Sequence, residues 1–209
     1  MRAIVTLRFG ERPYFAVSSE QLERYAKRHG YALHVADGSG LPDSRDRRWA
    51  KVPALAAVLG AGAELALYVD ADCVLVDEAA PLDSLAFVLG SADLLVGRDA
   101  SWNANTGVML ARPAAADILE AWHNVPTFDA ETAHKWPVDE LGFNRWILPR
   151  FAERIASPRR VHGTATDLVN GPFVRHCMNG SPDEKRARML AEMQRVRVES
   201  PSKIARRLG

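Results

Sequence analysis

Asp70 and Asp72 close an apolar run, Leu65-Ala66-Leu67-Tyr68-Val69, with only Ala71 between them and Cys73-Val74-Leu75-Val76 after them. A run of this kind reads as a buried strand of a parallel sheet, and ligand sites in such sheets lie at the carboxyl ends of the strands. Alternation along a strand puts residues i and i+2 on one face, so both carboxylates are expected to address one point. Two converging carboxylates in a poorly solvated place repel each other unless a cation lies between them. An oxygen-seeking divalent ion, Mn²⁺ or Mg²⁺, meets that need. The plain alternative is the polar end of a strand where a loop begins, and the spacing alone does not choose between the two.

The elements around these acids alternate between strand and helix. Residues 2–7 read as a first strand, and Tyr14 to His29 as a helix that Gly30 stops. Tyr31 to Val35 reads as a second strand, parallel to the first across a right-handed crossover. Arg47-Arg48-Trp49-Ala50-Lys51-Val52-Pro53 leads into an Ala/Leu-rich helix ending near Gly60, with Pro53 in its first turn. After the acid-bearing strand come a short helical turn over 81–85, a strand over 93–97, and a strand opened by Asn105-Thr106-Gly107. A helix from Pro113 to about His123 and helical spacing over 139–147 follow, with short strands near Ile155 and Val161. From Pro182 onward the chain is charged and Arg-rich. The pattern predicts an α/β fold with a mostly parallel sheet between helices, a domain over 1–181 and a basic helical tail over 182–209.

Composition bounds what such a fold can do. The chain has 209 residues, 47% apolar and 25% charged, which suits a globular domain and argues against wholesale disorder. A net charge of +1 lacks the basic signature of a nucleic-acid partner. Cys73 and Cys177, far apart in sequence, make neither a disulfide framework nor a Cys-rich metal site. Met1 to Leu7 lacks the apolar region of a signal peptide, and no stretch approaches the ~20 apolar residues of a membrane span. A cytoplasmic location is the expectation.

Five segments taken in order resemble the nucleotide-sugar glycosyltransferases of the GT-A fold. The likeness is to the fungal and plant galactosyl-, mannosyl- and xylosyltransferase family, and more loosely to glycogenin-type enzymes. The segments are Trp49-Ala50-Lys51-Val52-Pro53-Ala54-Leu55, Tyr68-Val69-Asp70-Ala71-Asp72, Asn105-Thr106-Gly107-Val108, Asp139-Glu140 with Gly142-Phe143-Asn144, and His176 with Gly180. The resemblance implies that Asp70 and Asp72 form a metal-binding DxD, with Asp70 also near the donor ribose, and that His176 is the third ligand. It implies that Lys51, Asn105 and Gly180 belong to the donor site; Lys185 is expected to reach the diphosphate as a point charge, and Arg8, just after the first strand, is expected near the base or ribose. Asp139 and Glu140 are implied beside the reactive carbon of the sugar, with retention of configuration. The family places Gly three residues after the His, whereas Gly180 lies four after His176. Without the resemblance, His176 and Asn105 read equally as structural residues, Lys185 as part of a solvated helix face, and Asp139 and Glu140 as helix-start acids.

The implied partners are a nucleotide-sugar donor, a UDP-sugar foremost, and a saccharide or other hydroxyl acceptor. Acceptor recognition is expected in loops 38–48 and 124–137. Three other readings stay open. An Asp-x-Asp after a strand also resembles the haloacid-dehalogenase-type phosphatases, where Asp70 would be the nucleophile; no later Gly-Asp-x-x-x-Asp cluster completes that pattern. The others are a non-catalytic binder of the same fold and a nucleotidyltransferase, although Phe9-Gly10-Glu11-Arg12 is poor in the glycines the latter wants. The basic tail is compatible with peripheral contact to an anionic membrane, a solvated segment or a subunit contact.

Overall fold

The computed structural model describes residues 1–41, 45–98, 103–126, 138–156, 173–177 and 179–198. Strand β1 (Arg2–Leu7) leads to α1 (Tyr14–His29) and β2 (Ala32–Ala36). A 3₁₀ turn (Arg47–Ala50) opens α2 (Lys51–Gly60), followed by β3 (Leu65–Val69), β4 (Cys73–Leu75), α3 (Leu82–Leu89), β5 (Leu94–Arg98) and β6 (Ala104–Ala111). After α4 (Ala116–His123) come α5 (Val138–Gly142), a π-helical turn (Phe143–Ile147) and α6 (Leu148–Arg150). The chain closes with β7 (Ile155–Ala156), β8 (Val174–His176) and α7 (Pro182–Val198). The helix expected over 81–85 runs further, and the strand expected near Val161 lies outside the described residues.

Six strands form one sheet in the order β2-β1-β3-β6-β5-β7, parallel except for β6, which runs against both of its neighbours. Both faces of this sheet are covered, which is why its strands read as near-continuous apolar runs. Ala3, Val5, Ala66, Tyr68 and Met109 face α2 and α4, whereas Ile4, Leu67, Val69 and Leu110 face α1 and α3. The α1 helix ends at Gly30, whose φ of 68° is the left-handed conformation that glycine adopts without strain. The chain passes from β1 outward to β2 and then back past β1 to β3. The crevice between the ends of β1 and β3 is therefore the point where strand order reverses.

Two departures from the sequence-based expectation bear on the site. First, Asp70 and Asp72 are not part of the strand: β3 ends at Val69, and the two acids sit in a turn that the Cys73 N–H closes onto the Asp70 carbonyl at 3.0 Å. Strand alternation therefore does not make them converge. Second, β4 leaves that turn to form a separate antiparallel ribbon with β8, in which Cys73 pairs with His176. The α7 helix packs against α1 and β4, burying Met189 and Met193 with Val17, Val74 and Cys177. Among the described residues no helix is long and apolar enough to cross a membrane.

Candidate active site

The turn and the ribbon together bring two carboxylates and an imidazole to one point. His176 Nε2 lies 2.9 Å from Asp72 Oδ1 and 3.8 Å from Asp70 Oδ2. Asp70 is held from behind, where Tyr68 Oη–H donates to Oδ1 at 2.5 Å. Asp72 Oδ2 lies 2.5 Å from Lys185 Nζ, delivered by the first turn of α7. Burial alone would raise the Asp72 carboxyl's pKa, but His176 and Lys185 outweigh it and hold that group well below the usual carboxylate range. His176 Nδ1 is buried and has no hydrogen-bond partner among the described residues.

These groups suit a hard or borderline divalent cation by type and by proximity. Asp72, Cys73 and His176 also present ligand atoms within 4.8 Å of one another. Cys73 is the poorer member, because burial raises its thiol's pKa far above normal and a neutral thiol is a weak ligand. Gly107 forms the wall opposite. A Cβ there would run into His176 Cε1, and would lie 2.8 Å from Asp70 Oδ2 and 2.9 Å from Asn105 Oδ1. Only glycine leaves that cradle open.

A second pair of acids lies directly behind. Asp139 and Glu140 begin α5, 1% and 7% exposed. Asp139 Oδ2 lies 2.8 Å from Lys51 Nζ and accepts from Thr106 Oγ1–H at 3.2 Å, while its buried Oδ1 has no hydrogen-bond partner among the described residues. Thr106 N–H donates toward Glu140 Oε2 at 3.4 Å, and Asn105 Oδ1 accepts from Gly107 N–H at 3.0 Å. A register shift in the β5–β6 pairing between Val96 and Gly97 leaves Thr106, Gly107 and Val108 without β5 partners, so the start of β6 bends into the site. The Asn144 amide clamps the arrangement, donating to the carbonyls of Ala104 at 2.8 Å and Glu140 at 2.9 Å and accepting from the Ala104 N–H at 2.8 Å.

In front of the acids lies a cleft of about 380 Å³ at the strand-order reversal. Asp70, Asp72, Gly180 and Lys185 line it, together with Arg12 and Arg48 and the aromatic rings of Phe9, Tyr14 and Phe15. Of the residues singled out in the sequence, these four face the cleft, while Lys51, Asn105, Asp139, Glu140 and His176 stand around or behind the acid turn. Arg8 is not brought in. It is not among the cleft-lining residues, and the Nε and Nη2 of its guanidinium are buried with no hydrogen-bond partner among the described residues. The additional residue between His176 and Gly180 is taken up by two successive left-handed residues, Asn179 at φ 67° and Gly180 at φ 80°. Sequence reasoning missed Tyr68, Thr106, Arg12 and Arg48 as site residues. For Gly107 a signal existed, since glycine inside a strand marks a bulge or a close approach. The described parts of loops 38–48 and 124–137 omit residues 42–44 and 127–137.

A glycosyltransferase involved in glycosylation of the major capsid of PBCV-1 superposes with a TM-score of 0.65 at 16% identity, covering 90% of this chain and 99% of that one. The fold is that of a GT-A-type glycosyltransferase. Two looser likenesses are to the glycosyltransferase GlyE of Streptococcus pneumoniae and to Drosophila β1,4-galactosyltransferase 7. For GlyE the TM-score is 0.47 at 15% identity, over 76% of this chain and 45% of that one. For the Drosophila enzyme, solved with manganese, UDP-Gal and xylobiose, it is 0.46 at 12% identity, over 85% and 71%. No family model and no curated protein matches the chain.

Proposed function

We propose that the chain is a metal-dependent glycosyltransferase that moves a hexose or pentose from a UDP-sugar to a hydroxyl acceptor with retention of configuration. The observation that carries this reading is the convergence of Asp70 and Asp72 on His176 Nε2 at the floor of the switch-point cleft. Asp70, Asp72 and His176 would hold Mn²⁺ or Mg²⁺, which as a Lewis acid stabilises charge on a departing nucleoside diphosphate. Arg12, Arg48 and Lys185 supply further positive charge on the diphosphate side of the cleft. Phe9, Tyr14 and Phe15 offer apolar faces for the base.

The sugar is assigned to the space beside Asp139 and Asn105. A buried carboxylate oxygen without a partner is costly, and Asp139 Oδ1 is relieved when a sugar hydroxyl donates to it. Glu140 then stands near the reactive carbon as a fixed negative charge that favours an oxocarbenium-like transition state. The acceptor's oxygen forms a bond to that carbon as the bond to the diphosphate oxygen breaks, and the departing diphosphate oxygen, which keeps the electron pair of the broken bond, takes the hydroxyl proton. The experiment is incubation with Mn²⁺ and a single UDP-sugar, followed by proton NMR. Release of UDP with an α-configured sugar product from an α-configured donor supports the proposal. Release of phosphate from phosphomonoesters without cleavage of any UDP-sugar would replace it with the Asp70-nucleophile phosphatase reading.

A further inference from the structure

We infer that Lys51 is a positioning residue that divides the oxygens of two acids, drawing one oxygen each of Asp70 and Asp139 inward and leaving the other of each for ligands. This rests on the donor-site reading above, but it changes what Lys51 is expected to do, since it removes Lys51 from contact with the donor.

Lys51 is 3% exposed and is not among the residues that line the cleft. An ammonium has three N–H donors. Here Nζ lies 2.8 Å from Asp139 Oδ2, 3.5 Å from Asp70 Oδ1 and 3.5 Å from both the carbonyl and the hydroxyl of Thr106, and 5.2 Å from the centre of the Tyr68 ring. The donors are thus directed at protein groups from the turn after β3, from β6 and from α5. The pattern at the acids is the complement. Asp70 Oδ1 takes Lys51 and the Tyr68 hydroxyl, and Oδ2 turns to His176 and the Gly107 cradle. Asp139 Oδ2 takes Lys51 and Thr106, and among the described residues Oδ1 has no hydrogen-bond partner. One cation therefore fixes the orientation of an acid of the candidate metal site and an acid of the candidate sugar site.

The local sequence makes such a clamp rigid. Trp49, 2% exposed, locks the turn before α2 by packing against Trp122, with ring centroids 6.3 Å apart. Its edge also blocks any side chain at Gly142, where a Cβ would lie 2.9 Å from Trp49 Cη2. Lys51 thus leaves α2 beside a closely packed turn, and α2 packs on α4, whose Trp122 Nε1–H donates to the Asp139 carbonyl at 3.1 Å. Charge balance alone would ask only for a cation near Asp139. The division of oxygens asks in addition for the ammonium to reach Asp70.

A cycle of Lys51→Met, Asp139→Asn and the double variant separates these roles. Three quantities are read: melting temperature, Mn²⁺ affinity by electron paramagnetic resonance without nucleotide, and calorimetric affinity for UDP-glucose, UDP-galactose and UDP-xylose. Lys51→Met is expected to lower the melting temperature, because Asp139 is left buried and unpaired, and the double variant to regain most of it. Mn²⁺ binding is expected about tenfold weaker in Lys51→Met and to remain weakened in the refolded double variant, because Asp70 is still unpinned. Asp139→Asn alone keeps its Mn²⁺ affinity within about twofold. A stable double variant that binds Mn²⁺ as the native protein does overturns the inference and leaves the donor-site reading intact. A native protein that binds neither Mn²⁺ nor any of the three UDP-sugars overturns the donor-site reading and the inference with it.

Discussion

Gly107 shows how much of the site depends on one missing side chain. Its absent Cβ leaves room for His176, Asp70 and Asn105, and its carbonyl accepts the Asp70 N–H at 2.7 Å. Gly107→Ala is expected to cost about 1–3 kcal/mol of stability from overpacking and to weaken Mn²⁺ binding about tenfold, read by urea unfolding and metal titration. The two cysteines make the opposite case, chemistry-bearing residues that the structure silences. Burial pushes the Cys177 thiol up to about 11 and raises that of Cys73 well above the usual thiol value. At pH 8 only roughly one Cys177 in a thousand is a thiolate. Iodoacetamide is expected to label neither in the folded protein and both in urea. Fast labelling of Cys73 in the folded state would contradict its place beneath the site.

Among the elements, β4 carries unusual responsibility for three residues, since it sets where Asp72 stands. Its free edge is completed by a side chain: Gln21 of α1 donates to the Leu75 carbonyl at 2.8 Å and accepts the Leu75 N–H at 2.9 Å, as a neighbouring strand would. Gln21→Leu leaves both backbone groups buried and unpaired, and is expected to cost about 2–3 kcal/mol by urea unfolding. The α7 helix is fixed at its start by a reciprocal Ser181–Glu184 cap, with Ser181 N–H donating to Glu184 Oε2 at 2.6 Å and Glu184 N–H to Ser181 Oγ at 3.3 Å. That cap sets the distance from Gly180 to Lys185. Long elements with period and stop signals, such as α1 with Gly30 or β3 with its five buried residues, were legible in the sequence. The β4–β8 ribbon was not, because three-residue strands carry no periodic signal and their pairing joins positions about a hundred residues apart. The identities of Asp70, Asp72 and His176 could be read, but their convergence comes from a turn and a ribbon, not from strand alternation.

At the scale of the whole molecule, the site follows from strand order. The ends of β1 and β3 open a crevice, and β6, running against β3, brings its beginning to the same edge, so that Asn105 to Gly107 meet Asp70. The five sequence segments that resemble the glycosyltransferase family span a linear distance no local argument connects, yet four of them meet around Lys51, Asp70, Thr106 and Asp139. The ring of basic and aromatic residues at the cleft mouth lay beyond the sequence, because loop side chains such as Arg12 and Arg48 acquire a common direction only when the sheet is assembled. The proposed activity requires this cleft to bind a metal and a nucleotide sugar together. Thermal stability against a panel of UDP-sugars, with and without Mn²⁺ and on Asp72→Ala, tests it directly. One donor at a hundred times its dissociation constant is expected to stabilise the native protein by about 2.7 kcal/mol only when Mn²⁺ is present, and the variant not at all. An equal shift without Mn²⁺ or in Asp72→Ala, or no shift with any UDP-sugar, would contradict the account.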